Sequence, residues 1–330
     1  MAKGSDKVVI TAIIGNALVT ISKFIGWFIT RSSSMFAEAI HSAADTANQI
    51  LLLIGLKSSR KGPSKLFPWG TGQAQYVWNL ISAMGIFFIG FGFTTYHGVH
   101  TLFHPSEKGE ENLVLNLSIL FIALVIEGYA FIVAYKEASK QKGKYSWKEF
   151  LKISDDPTTI GVLFEDAIAV TGIIVAFLCI GLSHYFNSSV PDAVGSILIG
   201  ILLGFMAIFL AYINSILLIG PSVHKTKVEE IKSFIESYPY IKSIQALKTV
   251  VLGSGRLHLS MDIEIYGEQI IDREQIQKDA NALRNGEDAA KILVKTSERS
   301  IRIVGEIINK LEIEIQQKFP DIGMIELELH

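Results

Sequence analysis

A chain of 330 residues in which 49% are hydrophobic and only 19% charged, with a mean hydropathy of +0.38, is more apolar than a soluble domain of ordinary composition. A membrane protein is the class this defines, and the net charge of −2 and isoelectric point near 6.5 carry no signature of a nucleic-acid partner. The single cysteine, Cys179, excludes an intrachain disulfide and a cysteine-built zinc site.

In chain order, six segments have the roughly 20 mostly apolar residues that a helix needs to cross hydrocarbon. They are residues 8–30, 35–56, 77–102, 113–135, 158–185 and 192–219, separated by turn-forming strings such as "RSSS", "KGPSKLFPWGTG", "HPSEKGEEN" and "NSSVPD". The first run continues to Thr30 without a small-residue cleavage site, so it is expected to span and not to be removed as a signal. Basic residues separate by side. Lys3, Lys7, Lys57, Arg60, Lys61, Lys65, Lys136, Lys140, Lys142, Lys144, Lys148 and Lys152 fall before the first segment or in the loops after the second and fourth. The opposite loops hold Arg31 and Lys108. The bias predicts a multi-pass protein with both termini on the cytoplasmic or equivalent side.

After Pro221 the composition changes to charges mixed with apolar residues and no span-length run. "VEEIKSFIES" has helical periodicity, "IQALKTVVLG" and "RLHLSMDIEIYG" are strand-like around a Gly-Ser-Gly turn, and "ERSIRIVGEIINKLEIEIQQKF" is an amphipathic helix before a last strand, "GMIELELH". The expected architecture is therefore an all-α six-helix membrane domain over residues 1–220, followed by a cytoplasmic α+β domain over 221–330. The latter is a ferredoxin-like αββαβ layer, with an insertion, at "GEQIIDREQIQKDANALRNGEDAAKILVKTS", that adds a helix.

An ionisable side chain inside a spanning segment is costly and needs a reason. The second segment has the densest set: Glu38, His41, Asp45 and Asn48 recur at steps of three, four and three residues and so share one helical face. An imidazole and a carboxylate one turn apart can make half of a tetrahedral site for a divalent ion, or can bond each other as interhelical glue. The fifth segment carries Glu165 and Asp166 with no basic neighbour; they must be protonated, face water or meet a cation. Glu127 in the fourth lies at similar depth, where a proton acceptor or an outer carboxylate is expected, and Lys23 in the first is expected to pair with an acid. Asp192 is expected to cap the sixth helix, and Gly85, Gly90, Gly92, Gly195, Gly200 and Gly204 to allow close helix contacts. His97, His100 and His104 read as an interfacial stripe.

The strings "SSSMFAEAIHSAADTANQILLLIGLKSS", "FPWGTGQAQYVWNLISAMGIFFIG" and the acidic "LFED" resemble the cation diffusion facilitator family of metal transporters over nearly the whole chain. "DPTTIGVLFEDAIAVTGIIVA" and the ending "MIELELH" are most similar to the subgroup of the mitochondrial zinc exporter. The resemblance implies a homodimer in the lipid bilayer that exports a divalent cation in exchange for protons by alternating access. The metal is then cargo and not a resident cofactor; Zn²⁺ suits one imidazole with oxygen ligands, and Co²⁺, Fe²⁺ and Mn²⁺ remain open. It also implies metal ligands at His41, Asp45 and Asp166. The family's usual further ligand, four residues before Asp166, is here Val162. The fourth donor is then Glu165, Glu38, water or none, and Glu38, Asn48 and Glu127 become candidates for the transport path or proton coupling. Phe67 and Thr71 replace the family's loop histidines, so auxiliary zinc sites are expected to be missing and the soluble domain to serve dimerisation. A membrane metal sensor or scaffold without transport is the alternative; an enzyme is not expected, since no HExxH-type pairing occurs.

Overall fold

The computed structural model describes residues 2–104, 112–143, 146–147, 157–253 and 255–330. Lys108, Lys144, Lys148 and Lys152, the side chains of Lys3 and Lys7, and Ser254 of the expected turn lie outside the described residues. The chain divides into two compact units, Met1–Ile219 and Gly220–His330.

The first unit is helical: α1 (Ala2–Thr30), α2 (Ser33–Ser59), α3 (Ala74–Gly85), α4 (Thr94–Phe103), α5 (Leu113–Lys142), α6 (Pro157–Tyr185) and α7 (Val190–Ile219). Among the described residues five helices are long and apolar enough to cross a membrane: Ile13–Thr30, Ala74–Phe103, Leu113–Lys142, Ile160–Tyr185 and Val190–Ile219. The helix α2, at 27 residues, has the length but carries the polar stripe that lowers its hydropathy. Outward-facing Phe28, Phe88, Phe205 and Tyr129 are each at least 61% exposed, a belt of large apolar side chains that belongs against lipid. Fully buried Met35, Leu120, Ile173, Ile199, Leu203 and Met206 form the core between the helices.

Local sequence explains the joints. Between α1 and α2 only Arg31 and Ser32 intervene: Arg31 takes φ = 56°, and Ser32 caps α2 by accepting the Met35 N–H. Residues 77–102, expected as one uniform helix, are instead interrupted by a π-helical segment, Ile86–Phe93. The small residues here meet α7 closely: Thr95 lies over Gly200, Phe91 over Gly204, and Gly90 against Leu203. Gly85, by contrast, faces open space, and Gly92 meets no neighbouring helix.

The second unit contains α8 (Lys225–Glu236), β1 (Ile241–Gly253), β2 (Arg256–Ile265), α9 (Arg273–Arg284), α10 (Ala289–Lys318) and β3 (Ile322–Leu329). Its three-stranded sheet has the order β1-β2-β3, antiparallel between β1 and β2 and parallel between β2 and β3. Strand β2 alternates: Leu257, Leu259, Met261, Ile263 and Ile265 are buried, and the residues between them are not. That face packs with Ile231 and Ile235 of α8 and Leu311 and Ile315 of α10. The helix expected from Glu298 begins nine residues earlier, at Ala289, where Asp288 caps it.

Candidate ion site

The polar stripe of α2 is turned inward. Glu38 and His41 are almost completely buried, and Asp45 retains 14% side-chain exposure. His41 Nε2 lies 3.5 Å from Asp45 Oδ2, and neither His41 Nε2 nor the other Asp45 oxygen, Oδ1, has a hydrogen-bond partner. Two donors held at 2.0–2.2 Å on a tetrahedral zinc stand about 3.4 Å apart, so this pair already has the separation of two ligands to one ion.

Lys23 of α1 is 1% exposed and donates to Glu38 Oε2 at 2.9 Å, Glu127 Oε1 at 3.0 Å and Ser42 Oγ at 2.8 Å. The expected acid partner is thus two acids, from α2 and α5, and Ser42 on the turn after Glu38. An ammonium with three acceptors has every proton satisfied, which is the condition for keeping such a charge out of water. The second Glu38 oxygen, Oε1, is buried without a partner and lies 4.0 Å from His41 Nδ1.

Adjacent residues of α6 face different neighbours. Both oxygens of Glu165 accept from Asn48 Nδ2, at 3.0 and 3.1 Å, and Glu165 interacts with Asp45. Asp166, about 100° further round the helix, lies in the field of Glu127. The phase of α6 has an independent marker in Gly172: a Cβ there would stand 2.6 Å from Glu38 Oε1 and 3.4 Å from His41 Nδ1. Gly172 is seven residues beyond Glu165 and so on the same stripe. The α2-facing side of α6 is therefore the Glu165 side.

Val162, where a donor was expected by resemblance, lines a cavity of ≈ 60 Å³ with Asn48, Tyr76, Asn79, Glu165 and Asn214. Asn79 donates to Asn214 across α3 and α7, and its own carbonyl oxygen is buried without a partner. Among the described residues, no group of three or more His, Cys, Asp or Glu side chains is gathered tightly enough to hold a metal. One oxygen of Glu38 is engaged by Lys23 and both oxygens of Glu165 by Asn48, while Asp166 lies about 100° further round α6.

Other expectations resolve outside this cluster. Asp192 does not cap its own helix: its carboxylate accepts from Ser32 Oγ, Ser33 N and Ser34 N, capping α2 from α7. The amides that open a helix are unsatisfied and electropositive, so a carboxylate fits there whichever chain segment brings it. His100 and His104 stack at 4.6 Å between ring centroids, and His97 packs on Phe36. In the loop after α2, Thr71 donates to the Ser58 carbonyl, and the Phe67 N–H to Ser64. In the second unit His258 pairs with Glu326 across β2 and β3. Site residues missed in the sequence include Ser42, four residues after Glu38 on its stripe, Gly172, on the stripe of Glu165, and the Asn79–Asn214 pair of the cavity.

A bundle of apolar helices closed around Lys23, His41 and five carboxyls defines a multi-pass membrane protein with ionisable groups in its interior. Residues 9–219 match the cation efflux transmembrane domain. The chain belongs to the cation efflux family, the cation diffusion facilitators. Relatives include the mitochondrial proton-coupled zinc antiporter SLC30A9 of Xenopus laevis, 35% identical over 338 residues, or 99% of this chain and 60% of that one. The protein of that name from Homo sapiens is 34% identical over 337 residues, 99% of this chain and 59% of its own. Metal tolerance protein C4 of Arabidopsis thaliana is 32% identical over 339 residues, 99% of this chain and 74% of its own. The chain thus spans about three-fifths of the SLC30A9 proteins it matches.

Proposed function

We propose that this protein is a secondary transporter that exports a divalent cation, Zn²⁺ first among the candidates, in exchange for protons by alternating access. The observation that carries the reading is the His41–Asp45 pair, 3.5 Å apart, in which His41 Nε2 and Asp45 Oδ1 are buried and unpartnered. The names of the SLC30A9 relatives support the zinc and proton assignment. In this reading α2 is the sixth span, with α3 and α4 together forming the third. The ligands are His41 and Asp45 of α2, completed from α6 by Glu165 on the α2-facing stripe and Asp166 beside it. Imidazole must be neutral and carboxylates ionised to bind metal, so metal and protons compete for the same atoms and exchange needs no second pathway. An empty, fully ionised site is too costly to carry through hydrocarbon, which suppresses leak. Asn48 and the Asn79–Asn214 cavity form the polar approach to the site, with Glu127 and Glu38 beside it.

Both termini face the cytoplasmic or equivalent side, following the basic loops. Residues 221–330 form a ferredoxin-like αββαβ layer with α9 inserted, and serve as the dimerisation domain of a homodimer. The test is zinc-driven proton flux in proteoliposomes. The Asp45→Ala, Asp166→Ala double variant is expected to lose the flux, and a normal flux would remove the proposed site. Zinc binding with no flux in the unaltered protein would point instead to a sensor.

A further inference from the structure

Lys23, Glu38 and Gly172 lie next to the proposed ligands without being ligands themselves, and the chemistry of His41 gives them a common purpose. A histidine that binds metal through one ring nitrogen needs its other N–H held by an acceptor, which fixes both the tautomer and the ring plane. Nε2 of His41 faces Asp45, so Nδ1 is the nitrogen left to be held. An acceptor with no partner of its own, Glu38 Oε1, stands 4.0 Å from Nδ1. Its sister oxygen is tied to Lys23, which Ser42 and Glu127 hold in turn. The approach is possible because α6 presents Gly172 there; any side chain would occupy the space of Glu38 Oε1.

We infer that Glu38 is a positioning residue for His41, anchored by Lys23 and admitted by Gly172, that accepts Nδ1–H and leaves the Nε2 lone pair directed at the ion. The inference rests on His41 being a ligand. The 4.0 Å gap closes by a small rotation of the ring when the ion is bound, as such contacts tighten on loading. Glu38 is thereby removed from the list of ligands: its buried position and ammonium partner assign it to geometry and not to coordination.

The test is zinc affinity of the purified full-length protein by chelator competition at fixed pH, with KM and Vmax of zinc uptake in proteoliposomes. Glu38→Gln keeps the shape and removes the charge. It is expected to weaken zinc binding about tenfold or more, the cost of losing such an outer partner, and to raise KM with Vmax changed no more than about twofold. Gly172→Ala displaces the same carboxylate without touching any charge, so it tests the point should Glu38→Gln fail to fold; it too is expected to raise KM. A loss of Vmax with unchanged KM in both variants, as a general structural lesion would give, overturns the inference. So does wild-type affinity in both variants while His41→Ala abolishes binding. Wild-type affinity in His41→Ala itself overturns the ion-site reading, and this inference with it.

Discussion

The carboxylate of Asp192, in the first turn of α7, accepts the backbone N–H groups of Ser33 and Ser34 that open α2, at 2.5 and 3.0 Å. Residues 158 positions apart thereby fix where α2 begins. The Ser32 hydroxyl completes the arrangement by donating to the same carboxylate.

Asp192→Asn is expected to lower stability by about 1.5–3 kcal/mol, since hydrogen bonds to a charged acceptor are lost and an NH₂ group is set against N–H donors. The measurement is the thermal midpoint in detergent. A midpoint equal to that of the unaltered protein would show that water or Ser32 can satisfy these amides.

The two acids of α6 are expected to differ in zinc affinity. Glu165 shares the stripe of Gly172 and meets Asn48 and Asp45, whereas Asp166 is about 100° further round the helix, in the field of Glu127. Glu165→Gln should therefore weaken zinc binding at least as much as Asp166→Asn, by about tenfold or more, a change of 1.4 kcal/mol or greater. The reverse ranking, read by chelator competition, would place the ion on the Asp166 face.

Gly195→Ala is expected to destabilise the helical unit. An added Cβ would stand 2.3 Å from Ser34 Oγ and 2.6 Å from Cys179 Cβ, so α2, α6 or α7 must move. Overpacking of this kind costs about 1–3 kcal/mol. Gly85→Ala, in open space, is the matched control. Equal thermal midpoints for the two variants would contradict the close approach.

In the second unit the Arg299 guanidinium, with help from Gln275 and Thr296, holds the Asp279 carboxyl below the usual carboxylate range. A depressed folded value means that the contribution is present above the unfolded value of about 3.9 and is lost as pH falls through the folded one. Docking of α9 on α10 should therefore hold at neutral pH and loosen on acidification below about 4. Asp279→Asn should loosen it already at pH 7. Amide exchange in α9, corrected for the intrinsic rate at each pH, reads both effects; identical protection in the variant and the unaltered protein at pH 7 would refute them.

Much of this was legible because period carries phase. The steps between Glu38, His41, Asp45 and Asn48 placed them on one face of α2, and the alternation in "RLHLSMDIEI" marked the buried side of β2. What was not legible depended on neighbours in space. Glu165 and Asp166 are adjacent, and the contacts of Asn48 with Glu165 and of Gly172 with Glu38 are what tell which one faces α2. Asp192 has a capping residue's identity, but its helix is supplied by another part of the chain. The segment "IFFIGFGF" has no polar residue to report a change of helical pitch, so the π-helical stretch left no mark in the pattern.

The parallel pairing of β2 with β3 demands a long return path, because two strands running the same way cannot be joined by a tight hairpin. The helix α9 sits in that return path, alongside the crossover helix α10. Lengthening a connection is cheap: each doubling of a flexible one costs only about 0.6 kcal/mol. A whole extra helix can thus be carried at the rim while every pairing in the sheet keeps its register, making this the place where the domain can diversify without relearning how to fold.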